Sequence, residues 1–283
     1  MQNKFLAQAK QKIENFRIYD LATDTLNHFT PKEQFSLKAD VAYGTHPRQM
    51  LDVYKSQNPR SDRALIVFVH GGTWSNGKKE DFLFLAGSFT QDGFDVAIIN
   101  YRLAPEFIFP YYVDDLVQAL NYLHNEQTQL GISTENTILM GHSAGGFNVM
   151  SALYHPNAYT LDCPIKAIVG LAGAYHFDYL GDKNLEKAFD LKKTYQEVMP
   201  SFFVKKNNIH HIMLLASTDL LVANSNTFNM HKKLLEMGNN SQVYRIPHTG
   251  HASLLGSLAV QFSRFFKTKD TIMMALTETL TPR

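Results

Sequence analysis

A serine set among glycines is the clearest chemical signal in the chain. The stretch Gly141-His-Ser-Ala-Gly145 follows an apolar, strand-like run and precedes a helix-like run. In such a strand–serine–helix turn, the flanking glycines remove Cβ atoms that would clash, and the turn lifts the hydroxyl off the sheet. The pattern predicts that Ser143 is a nucleophile and that the Ala144 N–H, at a helix N-terminus, faces developing negative charge.

A nucleophilic serine needs a base and an acid that orients the base. His251 lies just after the last predicted strand and is the candidate base, because Gly250 permits a tight loop there; His248 is the alternative. Asp219 follows the preceding strand and is the candidate acid. Its structural alternative is a helix N-cap, and Asp178 is the rival acid.

Donors for an oxyanion are expected in His70-Gly71-Gly72, which follows the third predicted strand. Glycines let the backbone approach the substrate oxygen, so the Gly71 and Gly72 N–H groups join that of Ala144 in the predicted oxyanion hole. Trp74, the only tryptophan, and His142 are candidate substrate-binding residues. Trp74 could equally be a packing residue.

Two other groups receive structural interpretations. Cys163 is the only cysteine, so no internal disulfide is possible, and it is expected to pack beside Pro164 rather than to act as a nucleophile. His210-His211 precedes a strand and shows no metal-ligand spacing. No metal site is expected.

The elements that must position these residues alternate between strands and helices. Such alternation predicts an α/β protein with a mostly parallel sheet covered on both faces. Strands are predicted at about 37–44, 49–55, 64–69, 94–99, 137–140, 165–171, 212–216 and 242–246. The nucleophile therefore follows the fifth of eight strands, and its partners lie beyond the carboxyl ends of others, where open parallel sheets place their sites.

The whole chain, 1–283, is expected to form a single domain. Residues 1–36 are expected to form an N-terminal helical segment, with an amphipathic helix over 4–18 that could be a lid or could pack on the domain edge. Residues 174–208 are irregular and could form a small cap. A final helix is expected over about 255–266.

The composition is that of a soluble globular protein. The chain has 283 residues, 45% of them hydrophobic and 19% charged, with a formal net charge of +1. This balance predicts no electrostatic preference for nucleic acid or anionic membranes. No apolar run has the length of a signal peptide or a membrane span, so a cytoplasmic location is expected. Both a monomer and a homodimer are compatible with the sequence.

Together these motifs resemble the α/β-hydrolase superfamily, and specifically its hormone-sensitive-lipase-like esterases. The resemblance runs from about Leu51 to the C-terminus. It includes His70-Gly-Gly, the serine motif, the order Ser143–Asp219–His251 and the segment Asn100-Tyr-Arg-Leu-Ala-Pro-Glu106 with Pro110 and Asp114-Asp115.

The motif after the third strand departs from that group. Those esterases usually have a third glycine where Thr73 stands in this chain. His-Gly-Gly-x-Trp is instead similar to kynurenine formamidases and related esterases, as is Tyr43-Gly with Leu51-Asp-Val-Tyr54. The resemblance implies an α/β-hydrolase fold with no metal and no organic cofactor.

Three functions are compatible with these features. The first is a serine carboxylesterase that acts on small esters with short acyl groups through an acyl-enzyme. The second is an aryl-formamidase that cleaves an N-formylkynurenine-type amide with the same residues. The third is a non-catalytic hydrolase fold that serves in binding, whose usual signature would be loss of a triad residue.

Overall fold

The structure is a computed structural model that describes residues 18–155, 157 and 159–280. Its centre is one eight-stranded sheet. The strands are β1 (Phe35–Ala42), β2 (Met50–Ser56), β3 (Leu65–Val69), β4 (Asp95–Ile99), β5 (Thr137–His142), β6 (Ile165–Leu171), β7 (His210–Ala216) and β8 (Asn240–Ile246).

The spatial order of the strands is β1-β2-β4-β3-β5-β6-β7-β8. β2 pairs antiparallel with β1 and with β4, and all other pairs are parallel. Every residue of β3, β4 and β5 is buried, which is why these strands appear in the sequence as continuous apolar runs. The predicted sheet, with the serine after its fifth strand, is confirmed.

Helices cover both faces of the sheet. They are α1 (Ile18–His28), α2 (Leu83–Thr90), α3 (Tyr111–Asn125), α4 (Gln127–Leu130), α5 (Ala144–Leu153), α6 (Ser225–Glu236), α7 (His251–Gly256), α8 (Val260–Ser263) and α9 (Thr268–Leu280). Alternate residues of each strand face opposite sides. Val67 and Leu139 pack in one core with α3, α5 and α6, while Ile66 and Ile138 pack in the other with α2, α7 and α9.

The C-terminal helices differ from the sequence prediction of one helix over about 255–266. The first of them, α7, begins at His251 itself, where the Ser253 hydroxyl accepts the Gly250 N–H at 2.8 Å. The chain then turns, with the Ser257 hydroxyl bonded to Thr268, and α9 follows. Its apolar residues Ile272, Ala275 and Leu276, at helical spacing, pack under the sheet.

The two segments considered as lid or cap have different outcomes. The predicted helix over 4–18 lies outside the described residues, apart from its last residue. Residues 174–208 contain only short 3-10 turns at 186–188, 195–197 and 200–202. The segment buries Tyr179, Phe189 and Met199 in the core on the α5 face. Its role as a cap, like the single-domain arrangement, stays a prediction.

Candidate active site

The sharp turn between β5 and α5 places Ser143 at the carboxyl end of the strand. Its backbone has φ +56° and ψ −119°, a conformation that non-glycine residues rarely adopt. Gly145 makes the turn possible, because a Cβ there would lie 1.9 Å from the Val69 carbonyl oxygen. Ala144 is the first residue of α5, so its N–H has no acceptor within the helix. The turn thus presents a half-buried hydroxyl beside a free N–H donor.

The His251 side chain is held by a carboxylate from the loop after β7. The His251 Nδ1 lies 2.8 Å from Asp219 Oδ2, and the side chains are 11% and 2% exposed, respectively. Because a carboxylate only accepts hydrogen bonds, Nδ1 carries the proton and Nε2 keeps its lone pair. The pair has the geometry in which an acid orients a histidine base.

Backbone donors keep Asp219 ionised and fixed. Its Oδ1 accepts the N–H groups of Leu221 and Val222, each at 2.9 Å. Burial acts to raise the pKa of Asp219, but the Val222 N–H, His251 and the Leu221 N–H together lower it below the usual range. No helix begins at Leu220, because α6 starts only at Ser225, so Asp219 is not a helix N-cap. The two N–H groups instead close a local turn that fixes the carboxylate in contact with His251.

His142 connects the serine turn to the His251 loop. Its Nε2 lies 3.0 Å from the main-chain oxygen of His251, and the two rings are 4.7 Å apart. Since the carbonyl only accepts, Nε2 of His142 carries the proton. Burial, followed by the nearby His251, lowers the pKa of His142 to about 3, so this ring is neutral near neutral pH. The contact joins the His251 loop to the residue that precedes Ser143.

The Ser143 hydroxyl itself makes no hydrogen bond to the His251 ring within the described residues. In unliganded enzymes such bonds are often long and tighten only when substrate binds.

The loop after β3 runs against the serine turn. A Cβ on Gly71 would lie 2.9 Å from the Ser143 Cβ, so only glycine allows this approach. Gly72 follows with φ +120°, and its carbonyl accepts the N–H groups of Ser75 and Asn76, each at 3.0 Å. This tight turn, the predicted oxyanion loop (residues 71–74), brings Gly71 close to the nucleophile.

His70 supports the oxyanion loop from below. Its ring stacks between Phe82 and Tyr101, and Nδ1 donates to the Gly71 carbonyl at 2.8 Å. The Tyr101 hydroxyl donates to the His70 carbonyl at 2.9 Å. Complete burial lowers the pKa of His70 to about 3. His70 is therefore a neutral structural residue of the loop.

Trp74 lies in an aromatic core. It is 1% exposed, and its indole N–H donates to Asn148 Oδ1 at 2.9 Å. Phe147, Phe177 and Phe189 surround the ring. These contacts favour the packing alternative over a substrate-binding role for Trp74. A substrate-binding role for His142, which is 5% exposed, stays a prediction.

None of the rival residues takes part in the Asp219–His251 hydrogen bond. Asp178 is exposed, and its carboxylate accepts the Leu180 N–H of its own loop. His248 is exposed with φ +59°. Cys163 is 4% exposed, and burial raises the pKa of its thiol to about 11, so it is not a ready nucleophile. His211 is buried between Tyr154 and the Asn240 carbonyl.

No cluster of histidine, cysteine and carboxylate side chains within the described ranges could hold a metal ion. No helix in those ranges is long and apolar enough to cross a membrane.

Sequence reasoning missed two contacts in the site. Asn148, on α5, holds Trp74, and the Ala174 N–H donates to the Ser143 carbonyl at 3.4 Å. The signal for Asn148 was a polar residue at a buried helix position, which in retrospect calls for a partner. No sequence signal distinguishes Ala174.

Comparison with known proteins places the site in context. Residues 51–234 match the model of the BD-FAE family. The chain is 29% identical over 154 residues to an isoprenylcysteine α-carbonyl methylesterase from Arabidopsis thaliana, covering 52% of this chain and 36% of that protein. It is 28% identical over 238 residues to a kynurenine formamidase from Meyerozyma guilliermondii, covering 72% and 88%. The chain spans less than half the length of the first plant relatives.

A solved structure described as a bacterial heroin esterase superposes with a TM-score of 0.75 at 20% identity, covering 93% of this chain and 90% of that one. At this level of identity the likeness concerns the fold. It agrees with the eight-stranded, mostly parallel sheet described above.

Proposed function

Since the chain belongs to the BD-FAE family of α/β-hydrolases, we propose that it is a serine hydrolase that cleaves small carboxylic esters with short acyl groups. The observation that carries the proposal is the His251–Asp219 hydrogen bond at 2.8 Å, in a loop that also contacts the residue before Ser143. The family match and the names of the relatives, which are esterases and formamidases, agree with it.

In the proposed reaction, Ser143 Oγ attacks the ester carbonyl carbon while its proton passes to His251 Nε2. Asp219 stabilises the imidazolium that forms. When the tetrahedral intermediate collapses, the C–O bond to the leaving alcohol breaks, and His251 gives its proton to that alcohol. His251 then takes a proton from water, the hydroxide attacks the acyl-enzyme, and the acid leaves as Ser143 regains its proton.

The carbonyl oxygen becomes negatively charged in both tetrahedral intermediates. We assign its stabilisation to the N–H groups of Gly71, Gly72 and Ala144. Gly71 lies so close to Ser143 that a Cβ would clash with it, and Ala144 is the first residue of α5, which supports this assignment. Donors placed in this way avoid reorganisation during the reaction. No step requires a metal or an organic cofactor.

Formamide hydrolysis is the second candidate. It uses the same residues, with an amine in place of the alcohol, and requires a small acyl pocket. The observation that favours it is the formamidase relative that aligns over 72% of this chain. The substrate in either case is a small ester or amide. We also retain, as proposals, a cytoplasmic location and the arrangement of residues 1–283 as one domain.

Turnover measurements separate these candidates. We would compare kcat/KM for aryl acetate, butyrate and octanoate with that for N-formylkynurenine, with Ser143→Ala as the control. The ester proposal expects the acetate and butyrate to be the best substrates. A preference for the formamide would favour the second candidate. Turnover unchanged in Ser143→Ala would exclude both.

A further inference from the structure

The oxyanion loop is held in an unusual conformation. Gly72, Thr73 and Trp74 have φ values of +120°, +50° and +57° in succession. Thr73 and Trp74 carry Cβ atoms, which make left-handed backbone unfavourable. Such a conformation persists only when the surrounding structure imposes it. Some contact beyond the loop must therefore hold its end in place.

Trp74 provides the anchors at that end. Its main-chain oxygen accepts the Ala104 N–H at 2.9 Å, and its ring is buried among aromatic side chains. Aromatic packing keeps the ring in the core, but such contacts are less directional than a hydrogen bond. The indole N–H adds one directional bond, to Asn148 Oδ1 at 2.9 Å.

Within the described residues, the bond to Trp74 is the only hydrogen bond of the Asn148 side chain. It is fully buried, and its Nδ2 has no hydrogen-bond partner within the described part of the chain. An amide is costly to bury in apolar surroundings without partners. Asn148 lies on α5, the helix that begins directly after the nucleophile, so its Oδ1 can hold Trp74 in place relative to that helix.

We propose that the Trp74–Asn148 hydrogen bond is a positioning contact that aligns the oxyanion loop with Ser143. It ties the loop that carries Gly71 and Gly72 to the helix that carries the nucleophile, so the donors and the attacking oxygen keep their relative placement. Asn148 and Trp74 are thus positioning residues, not catalytic ones. The inference rests on the proposed serine-hydrolase function.

The test removes the bond from either side. Trp74→Phe keeps an aromatic ring and deletes the N–H, while Asn148→Leu deletes the acceptor and keeps the same branched shape. Ser151→Ala is the matched control, because Ser151 is also fully buried on α5 and its hydroxyl has no partner within the described residues. The probe is an aryl acetate, measured well below the Tm of each variant.

A displaced oxyanion donor lowers the rate of the chemical step more than it weakens substrate binding. We expect kcat to fall about 10- to 100-fold in each single variant, with KM within about 3-fold of wild type. The double variant should be no worse than the poorer single variant by more than about 3-fold, because both changes break one bond. Ser151→Ala should stay within about 3-fold of wild type.

Other results would overturn the inference. One is that the single variants keep wild-type kcat, and another is that the losses of the two single variants multiply in the double variant. An equal loss of kcat in Ser151→Ala would indicate an effect of core packing alone. If Asn148→Leu does not fold, Trp74→Phe still tests the bond. A wild-type protein without turnover would overturn the proposed function and this inference together, whereas active wild type with fully active variants would overturn the inference alone.

Discussion

Asp219→Asn should reverse the tautomer of the His251 ring. In the native site, Asp219 Oδ1 accepts two backbone N–H groups at 2.9 Å, while Oδ2 accepts the His251 Nδ1–H at 2.8 Å. Asparagine has only one acceptor oxygen. The two N–H donors of Leu221 and Val222 will hold that oxygen in the Oδ1 position, so the amide NH2 must face His251. Nδ1 then accepts, the proton moves to Nε2, and the base for Ser143 is lost.

The size of the effect follows from the alternative orientation. Turning the amide over restores the correct tautomer but sets its NH2 against both backbone donors. Neither donor is fully buried, so losing each hydrogen bond costs about 0.5–1.5 kcal/mol, or roughly 1–3 kcal/mol for the pair. At about 1.36 kcal/mol per tenfold change in rate, a cost of roughly 1–3 kcal/mol lowers kcat about 5-fold to 160-fold. Fold and Tm should change little, because the two backbone hydrogen bonds remain.

The assay is steady-state hydrolysis of an aryl acetate at pH 7.5, with folding checked by circular dichroism. Asp178→Asn is the matched control, because Asp178 is an exposed aspartate that bonds a neighbouring N–H without contacting His251 in the structure. A folded Asp219→Asn protein with kcat within about 3-fold of wild type would contradict this role for Asp219. So would an equal loss in Asp178→Asn.

Three further predictions concern stability and reactivity. Lys79 is 2% exposed and bonds three carboxylates, including that of Asp52, so Lys79→Met should lower the free energy of unfolding by roughly 3 kcal/mol. The control Lys78→Met, at an exposed lysine, should lower it by no more than about 0.5 kcal/mol. Equal effects of the two changes in urea titrations would contradict this. The pKa of His142 is about 3 in the folded protein and about 6.5 in model peptides, so the unfolded chain binds the extra proton and stability should fall as pH drops from 7 to 4. His142→Asn should reduce this dependence of stability on pH, and an unchanged dependence would contradict the lowered pKa of His142. Cys163 is buried and its thiol has a raised pKa, so it should react with a thiol reagent only on unfolding, and Cys163→Ala should keep wild-type kcat. Rapid labelling of the native protein would contradict the buried, unreactive state of the thiol.

The strands and the serine turn could be predicted from the sequence because each has a local cause. Continuous apolar runs such as Leu65–Val69 leave no polar face for solvent, so they must be buried on both sides. The glycines around Ser143 mark a turn that only small residues permit. The placement of Asp219 and His251 followed from topology, since residues after parallel strands lie at one edge of the sheet.

Contacts that depend on tertiary packing could not be predicted in this way. Nothing near Trp74 in the sequence indicates that its N–H meets Asn148, because the pair is set by how α5 lies against the oxyanion loop. The contact of His142 with the His251 main chain likewise depends on loop geometry. By contrast, α9 had a local signal in Ile272, Ala275 and Leu276, and the prediction ended its last helix too early to use it.

Covalent labelling would show whether Ser143 is the nucleophile. The protein would be treated with a fluorophosphonate, and the modified peptide would be identified by mass spectrometry, with Ser143→Ala and Ser151→Ala treated in parallel. We expect one phosphonate on Ser143 in wild type and in Ser151→Ala, and none in Ser143→Ala. Modification of another residue, or an unmodified Ser143 in a protein that still hydrolyses esters, would contradict it.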